Sequence, residues 1–184
     1  AESTKLRIVF DASARQDELS PSLNDCLETG PPLQNLLWNI LVKNRFQSVA
    51  ISGDIRRAFL QIRVREEDRD ALRFHWVSDI NSEKIVTYRF TRVLFGLTQS
   101  PFLLGGTIEE HLNSYQEENP GIISEIRSSI YVDDLITGGC TEEEAKDLKE
   151  TATAVFKDAG FTLHKWHSNV PALEQQRQVN DEVE

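Results

Sequence analysis

The sequence predicts an α+β fold, an antiparallel sheet with helices on one face, and three observations carry that expectation. Short β-branched runs alternate with longer segments whose apolar residues recur at helical spacing. The order of these segments contains a βαββαβ core, the pattern of a ferredoxin-like sheet. Two of the short runs end on or enclose aspartates, Asp54 and the pair Asp133-Asp134, and in such a sheet these can lie side by side.

Taken in order, Lys5, Leu6, Arg7, Ile8, Val9 and Phe10 alternate basic with apolar and close on Asp11. This reads as an edge strand or hairpin arm with Lys5 and Arg7 on one face; a solvated strand face fits equally. Residues 11–32 are rich in loop formers, with Ser20-Pro21-Ser22 and Gly30-Pro31-Pro32 as breakers. Leu33, Leu36, Leu37, Ile40 and Leu41 then form the inward stripe of a helix entered through proline, with Trp38 as packing. Val49-Ala50-Ile51 is a buried strand that delivers Asp54 at its end, and Ile55, Ala58, Phe59 and Ile62 follow at helical spacing. Residues 71–77 and 85–93 make a β-hairpin joined by the polar stretch 78–84. Ser100 as N-cap and Pro101 at the first helical position open a helix carrying Leu104, Ile108, Leu112 and Tyr115. Ile122, Ile123 and Ile126 mark a short amphipathic segment before a hairpin over 130–138. Thr141 and Glu144 form a capping box for a long helix with Ala145, Leu148, Ala152, Val155, Phe156 and Ala159 inward, stopped by Gly160. Residues 161–166 close the globular part as a strand, and 171–184 read as a frayed polar tail.

A chain of 184 residues suits one domain with a sizeable core. Its longest apolar runs fall well short of the roughly 18 residues of a membrane span, so a soluble piece without membrane partners is expected. Cys26 and Cys140 give neither a disulfide framework nor a zinc knuckle and fit a reducing compartment. The start, Ala1-Glu2-Ser3-Thr4, and the absence of Met suggest a segment excised from a longer translated chain. A net charge of −10 speaks against nucleic acid as a partner, but its distribution qualifies that. Residues 1–108 carry 14 Lys/Arg against 13 Asp/Glu, whereas 109–184 carry 6 against 17. A phosphate-contacting surface is therefore expected in the N-terminal half, around Arg7, Lys43, Arg45, Arg56, Arg57, Arg63 and Arg65.

Asp133 and Asp134 pose a specific electrostatic question. Two like charges held together repel by about 1 kcal/mol in water and about 4 kcal/mol at a surface-like dielectric. A turn that merely favours Asp explains the pair cheaply. A divalent cation explains it by turning repulsion into attraction, and Mg²⁺ suits carboxylates combined with phosphate oxygens. Asp54 alone could cap the segment that follows it. Only a shared site explains the three acids together.

The motifs around these acids resemble those of reverse transcriptases, most closely the BEL/Pao class of LTR retrotransposons, over roughly residues 5–170. Tyr131-Val132-Asp133-Asp134 is similar to the family's Tyr-x-Asp-Asp signature, and Ser52-Gly53-Asp54-Ile55-Arg56-Arg57-Ala58-Phe59 to its first catalytic motif. Phe95-Gly96-Leu97-Thr98-Gln99-Ser100-Pro101 is similar to the stretch before the template-contacting helix. Gly160-Phe161-Thr162-Leu163-His164-Lys165-Trp166-His167-Ser168-Asn169 resembles the stretch that closes the palm in this retrotransposon class. The resemblance implies a ferredoxin-like palm plus partial fingers in one domain over 1–170, with about 1–46 and 71–93 partly fingers and 171–184 leading toward a thumb and ribonuclease H. It implies RNA-directed DNA polymerase activity with two Mg²⁺ ions, Mn²⁺ substituting, held by Asp54, Asp133 and, less directly, Asp134. Arg7 and, secondarily, Lys5 would grip the incoming triphosphate, Phe59 would exclude a ribose 2′-hydroxyl, Gln99 would line the nucleotide site, and Lys165 would protonate pyrophosphate. Phe59 as a plain core residue and Lys165 as a solvated strand residue are the alternatives.

The implied partners are primer-template RNA or DNA, deoxynucleoside triphosphates and the rest of a retroelement polyprotein, and the implied location is cytoplasmic virus-like particles. Phe95 departs from retroviral relatives, which carry Gln there. A fingers-and-palm stretch by itself is expected to be weakly active or inactive. A non-catalytic interaction module that keeps the palm is the rival function; a nucleotidyl cyclase on the same sheet would leave Phe59 and the 95–101 motif unexplained. The four histidines show no metal-ligand spacing.

Overall fold

The computed structural model describes residues 9–79 and 81–174, so the expected roles of Lys5 and Arg7 and most of the 5–10 strand lie outside the described residues. In chain order the elements are α1 (Leu37–Arg45), β1 (Val49–Ile55), α2 (Ala58–Gln61), β2 (Arg73–Asp79), β3 (Lys84–Arg89), α3 (Ser100–Ser114), α4 (Pro120–Ser129), β4 (Ile130–Tyr131), β5 (Asp134–Gly139), α5 (Glu142–Asp158) and β6 (Leu163–Ser168). Short 3-10 turns stand at Asn24–Cys26, Glu66–Leu72 and Pro171–Leu173. The chain divides into two compact units, one of residues 1–31 with 59–103, the other of 32–58 with 104–184.

The second unit holds an antiparallel sheet in the order β4-β5-β1-β6. β1 alternates buried and half-buried residues along its whole length, which gives it one core face and one accessible face. Ile51 and Ile55 lie on the core face, as does Leu135 of β5, and α4 and α5 pack against the sheet. α4 contributes Ile123 and Ile126, and α5 contributes Ala145, Leu148, Ala152, Val155 and Phe156, all buried. Each large aliphatic side chain so buried stabilises the fold by about 1.5–3 kcal/mol. Thr141 accepts the Glu144 N–H at 3.2 Å, and Glu144 reaches back to the Cys140 N–H at 2.8 Å, one residue before the partner of an ideal capping box. Gly160, at φ +79°, ends the helix in the left-handed conformation that glycine adopts without cost.

Two expectations for α1 and α3 need correction. The stripe Leu33, Leu36, Leu37, Ile40 and Leu41 is not a buried helix face: only Ile40 is buried, and Leu36 is extended, so α1 starts at Leu37. The preceding segment is held instead by Asn35, whose side-chain amide donates to the Arg127 and Ile130 carbonyls at 2.8 and 2.9 Å. Ser100 does not cap α3; its hydroxyl donates to the Leu94 carbonyl at 2.6 Å. The α3 stripe itself, Leu104, Ile108 and Leu112, is buried as expected. Of the expected tail, the described start is a 3-10 turn with Leu173 buried and its carbonyl accepting Lys149 Nζ at 2.7 Å.

In the first unit β2 and β3 pair as a separate two-stranded sheet, with Arg73 opposite Arg89 and Val77 opposite Ile85. Phe74 stacks on Phe90 with centroids 4.6 Å apart. A small core joins Ala12, Leu72, Leu94 and Leu97 to Phe10, Val64 and Phe90. Asn24 clamps the loop before α3, donating to the Gly96 carbonyl at 2.8 Å and accepting the Thr98 N–H at 3.0 Å.

Candidate active site

Asp54 stands near the end of β1 on its accessible face, the position that the alternation of Ile51, Gly53 and Ile55 toward the core leaves to it. Its cross-strand partner on β5 is Asp134, so the two side chains lie on the same face. Asp133 occupies the two-residue turn between the paired residues Tyr131 and Asp134. The Ile55 N–H donates to the Asp133 carbonyl at 2.8 Å, which ties that turn to the end of β1. Val132, the other turn residue, has φ 55°. Positive φ at the first turn position is ordinarily left to glycine, and a β-branched residue is strained there.

On the other side of β1, β6 carries a bulge. Ser52 pairs with His167 and Asp54 with His164, so Gly53 alone faces two residues, Lys165 and Trp166. Lys165 has φ 50°, the left-handed conformation of the first residue in one bulge class. The extra residue lets His164 and Lys165 both reach the accessible face while Leu163 and Trp166 stay buried. Gly53 lets Trp166 pack close over β1, since a Cβ there would meet the indole at a tight 3.0 Å. Asp54 Oδ2 thereby accepts two hydrogen bonds, from His164 Nε2 at 2.8 Å and from Lys165 Nζ at 3.2 Å.

Burial raises the Asp133 carboxyl above the ordinary range, and the Asp54 charge adds to that rise against its own backbone N–H and Lys165. Partial burial likewise raises Asp134, with Asp133 and then Asp54 adding repulsion and Lys165 opposing. Like-charge repulsion is therefore present, but loss of water is the larger cause.

Asp54, Asp133, Asp134 and Lys165 are thus brought together in one unit. Phe59 belongs to the other unit, is 4% exposed and meets Phe95 edge-to-face at 4.5 Å. Gln99, in the same unit as Phe59, is half-buried, and its Oε1 has no hydrogen-bond partner among the described residues. Lys43, expected near a phosphate-contacting surface, pairs with Glu125 at 2.7 Å and donates to Ser128 Oγ at 2.7 Å. The sequence does not single out His164 as a site residue, because ordinary strand alternation puts only one of two adjacent residues on a face. The spacing of the buried pair Leu163 and Trp166 was the available signal of a bulge.

Among the described residues, no three His, Cys, Asp or Glu side chains stand close enough to hold a metal ion as they are placed. The donor chemistry nevertheless fits a hard divalent cation. Carboxylates from two paired residues and the adjoining turn repel one another, and a cation relieves that repulsion. Among the described residues no helix is long and apolar enough to cross a membrane.

A family model described as reverse transcriptase (RNA-dependent DNA polymerase) matches residues 3–174. Comparison with curated proteins gave no match.

Proposed function

We propose, from the premise that the chain belongs to the reverse transcriptase (RNA-dependent DNA polymerase) family, that it adds deoxynucleotides to a primer 3′ end on an RNA or DNA template. The observation that carries this is the placement of Asp54, Asp133 and Asp134 at one end of the β1–β5 ladder, with the Asp133 and Asp134 carboxyls raised. In the reaction the primer 3′ oxygen forms a bond to the α-phosphorus as the bond from that phosphorus to pyrophosphate breaks. Two Mg²⁺ ions, with Mn²⁺ as a substitute, would stabilise the attacking and leaving oxygens when bound. Asp54 and Asp133 would hold them, with Asp134 assisting through its charge. Lys165, which donates to Asp54 Oδ2 at this cluster, would supply the proton for pyrophosphate. The resemblance would further assign Phe59 to the sugar, Gln99 to the nucleotide, and Arg7 with Lys5 to the triphosphate through charge-assisted hydrogen bonds. This reading extends to a BEL/Pao-class polyprotein working in cytoplasmic virus-like particles, supported by the 160–169 motif.

The test is primer extension with dNTPs on an RNA template by the longest natural chain that contains this domain. Extension that persists undiminished with Asp133→Ala overturns the assignment. One observation favours the rival reading, a non-catalytic module that keeps the fold: Asp54 Oδ2 is already occupied by His164 and Lys165. Calorimetry with Mg²⁺ and dNTP separates the two readings, since the module binds neither.

A further inference from the structure

We infer that His164 is a positioning residue that holds the Asp54 carboxylate in one rotamer from the side of β1 opposite the acidic pair. Its importance to catalysis rests on the reading that Asp54 is a metal ligand; the contact itself does not. The three residues form a row across the sheet on one face, Asp134 on β5, Asp54 on β1 and His164 on β6. Left to itself, the Asp54 side chain would rotate away from two neighbouring carboxylates, because the alternative rotamers cost little and the repulsion is removed. Two donors on a single oxygen oppose that rotation. They are not equivalent. The Lys165 side chain is 67% exposed on a flexible stem, so water competes for its place, whereas His164 is 20% exposed and reaches Oδ2 at 2.8 Å.

The backbone is built to deliver this contact. Without the bulge opposite Gly53, β6 could not present His164 and Lys165 to the same carboxylate and also bury Leu163 and Trp166. Lys165 at φ 50° and the bare Cα of Gly53 under Trp166 are the local costs of the arrangement. Partners that orient a metal-binding side chain typically change metal affinity about 10–100-fold when removed.

Three variants decide the matter: His164→Gln, whose amide N–H reaches the same oxygen; His164→Leu, which fills the space without a donor; and His164→Ser, too short to reach, in case the leucine variant does not fold. In the metal-free chain, Hα–Hβ couplings of Asp54 measured by NMR should report one χ1 rotamer in the parent and in His164→Gln, and averaging in His164→Leu. Calorimetry with Mg²⁺ alone should show binding weakened at least about tenfold in His164→Leu and within about threefold of the parent in His164→Gln. A single Asp54 rotamer in His164→Leu overturns the inference whatever the metal does. Unchanged or tighter Mg²⁺ binding in that variant, against a parent that binds, also overturns it, since the contact would then be idle or obstructive. Mg²⁺ binding that survives Asp54→Asn would instead sink the metal reading, and the rotamer measurement would still decide the role of His164.

Discussion

Strand β5 borders two acidic neighbourhoods that the protein treats in opposite ways. At its start, Asp134 lies with Asp133 and Asp54 among like charges, and burial with repulsion holds the Asp133 and Asp134 carboxyls above the ordinary range. Three residues along, Thr137 donates to Glu125 at 2.7 Å, joined by Ser129 at 3.0 Å and by Lys43 at 2.7 Å. Burial pushes Glu125 up, but Lys43, Thr137 and Ser129 outweigh it and leave the carboxyl below its ordinary range. An acid that serves the fold is surrounded by donors from the fold. Acids held above their ordinary range by burial and mutual repulsion are the ones that the proposed metal reading assigns to a partner from outside.

The largest effect that could break this contrast is on activity. Asp133→Asn should lower primer extension by at least about a thousandfold, or about 4 kcal/mol of barrier, without loss of the fold. Glu125→Gln should leave extension per folded molecule within about threefold of the parent. Similar losses in both, measured by single-turnover extension on samples matched for folded fraction, would erase the distinction.

Stability should respond in the reverse order. Glu125→Leu strands the Lys43 ammonium and two hydroxyls, at a cost of about 1–2 kcal/mol because both ionised groups keep some water. The urea midpoint of the metal-free chain should fall accordingly, while Asp133→Asn leaves it unchanged or raises it. A Glu125→Leu midpoint equal to the parent's would show the network to be ornamental.

These two neighbourhoods were unequally legible in the sequence. Asp54 and Asp133-Asp134 stand where apolar strand patterns end, so their clustering follows from strand order once a ferredoxin-like sheet is assumed. Glu125 lies on a helix among Ser and Arg and looks like an ordinary surface acid; its partners come from α1 and β5, which only tertiary packing brings to it. His164 was hidden for a related reason, since a single-residue bulge shifts which side chains share a face. The α1 stripe misled in the other direction. Its leucines have helical spacing, yet spacing says nothing about how much neighbouring surface exists to cover them, and only Ile40 finds cover.

Acidification sharpens the contrast further, by a smaller amount. Raised carboxyls at Asp133 and Asp134 mean that the folded chain binds their protons more tightly than the unfolded chain. Their contribution is fully present below the unfolded pKa and is lost as pH rises through the folded one. Glu125, being lowered, contributes above its unfolded pKa and loses that contribution as pH falls through the folded one. The stability gap between Asp133→Asn and the parent should therefore shrink as pH falls from 7 toward about 4, by under about 1 kcal/mol after screening by water. The gap between the parent and Glu125→Gln should shrink only below about pH 4.5. Denaturation midpoints across that range, without divalent ions, check both signs; gaps that move together would contradict the assigned shifts.

The smallest effect concerns where backbone strain is kept. Four described non-glycine residues have left-handed backbone, and two of them, Val132 and Lys165, adjoin the acidic cluster, while none adjoins Glu125 in the chain. Left-handed backbone costs an ordinary L-residue about 1–2 kcal/mol, and Val132→Gly removes that cost. Glycine also loosens the unfolded chain, which takes back about 0.4–1 kcal/mol. The net expectation is a metal-free chain more stable by up to about 1.6 kcal/mol. Activity should move the other way, severalfold downward, because the turn that Ile55 ties to β1 through the Asp133 carbonyl then has more conformations open to it. A variant both more stable and fully active would mean that the strain at Val132 has no part in presenting Asp133. One that is less stable would mean that the valine side chain, half-buried beside Tyr131, contributes more by packing than its backbone costs.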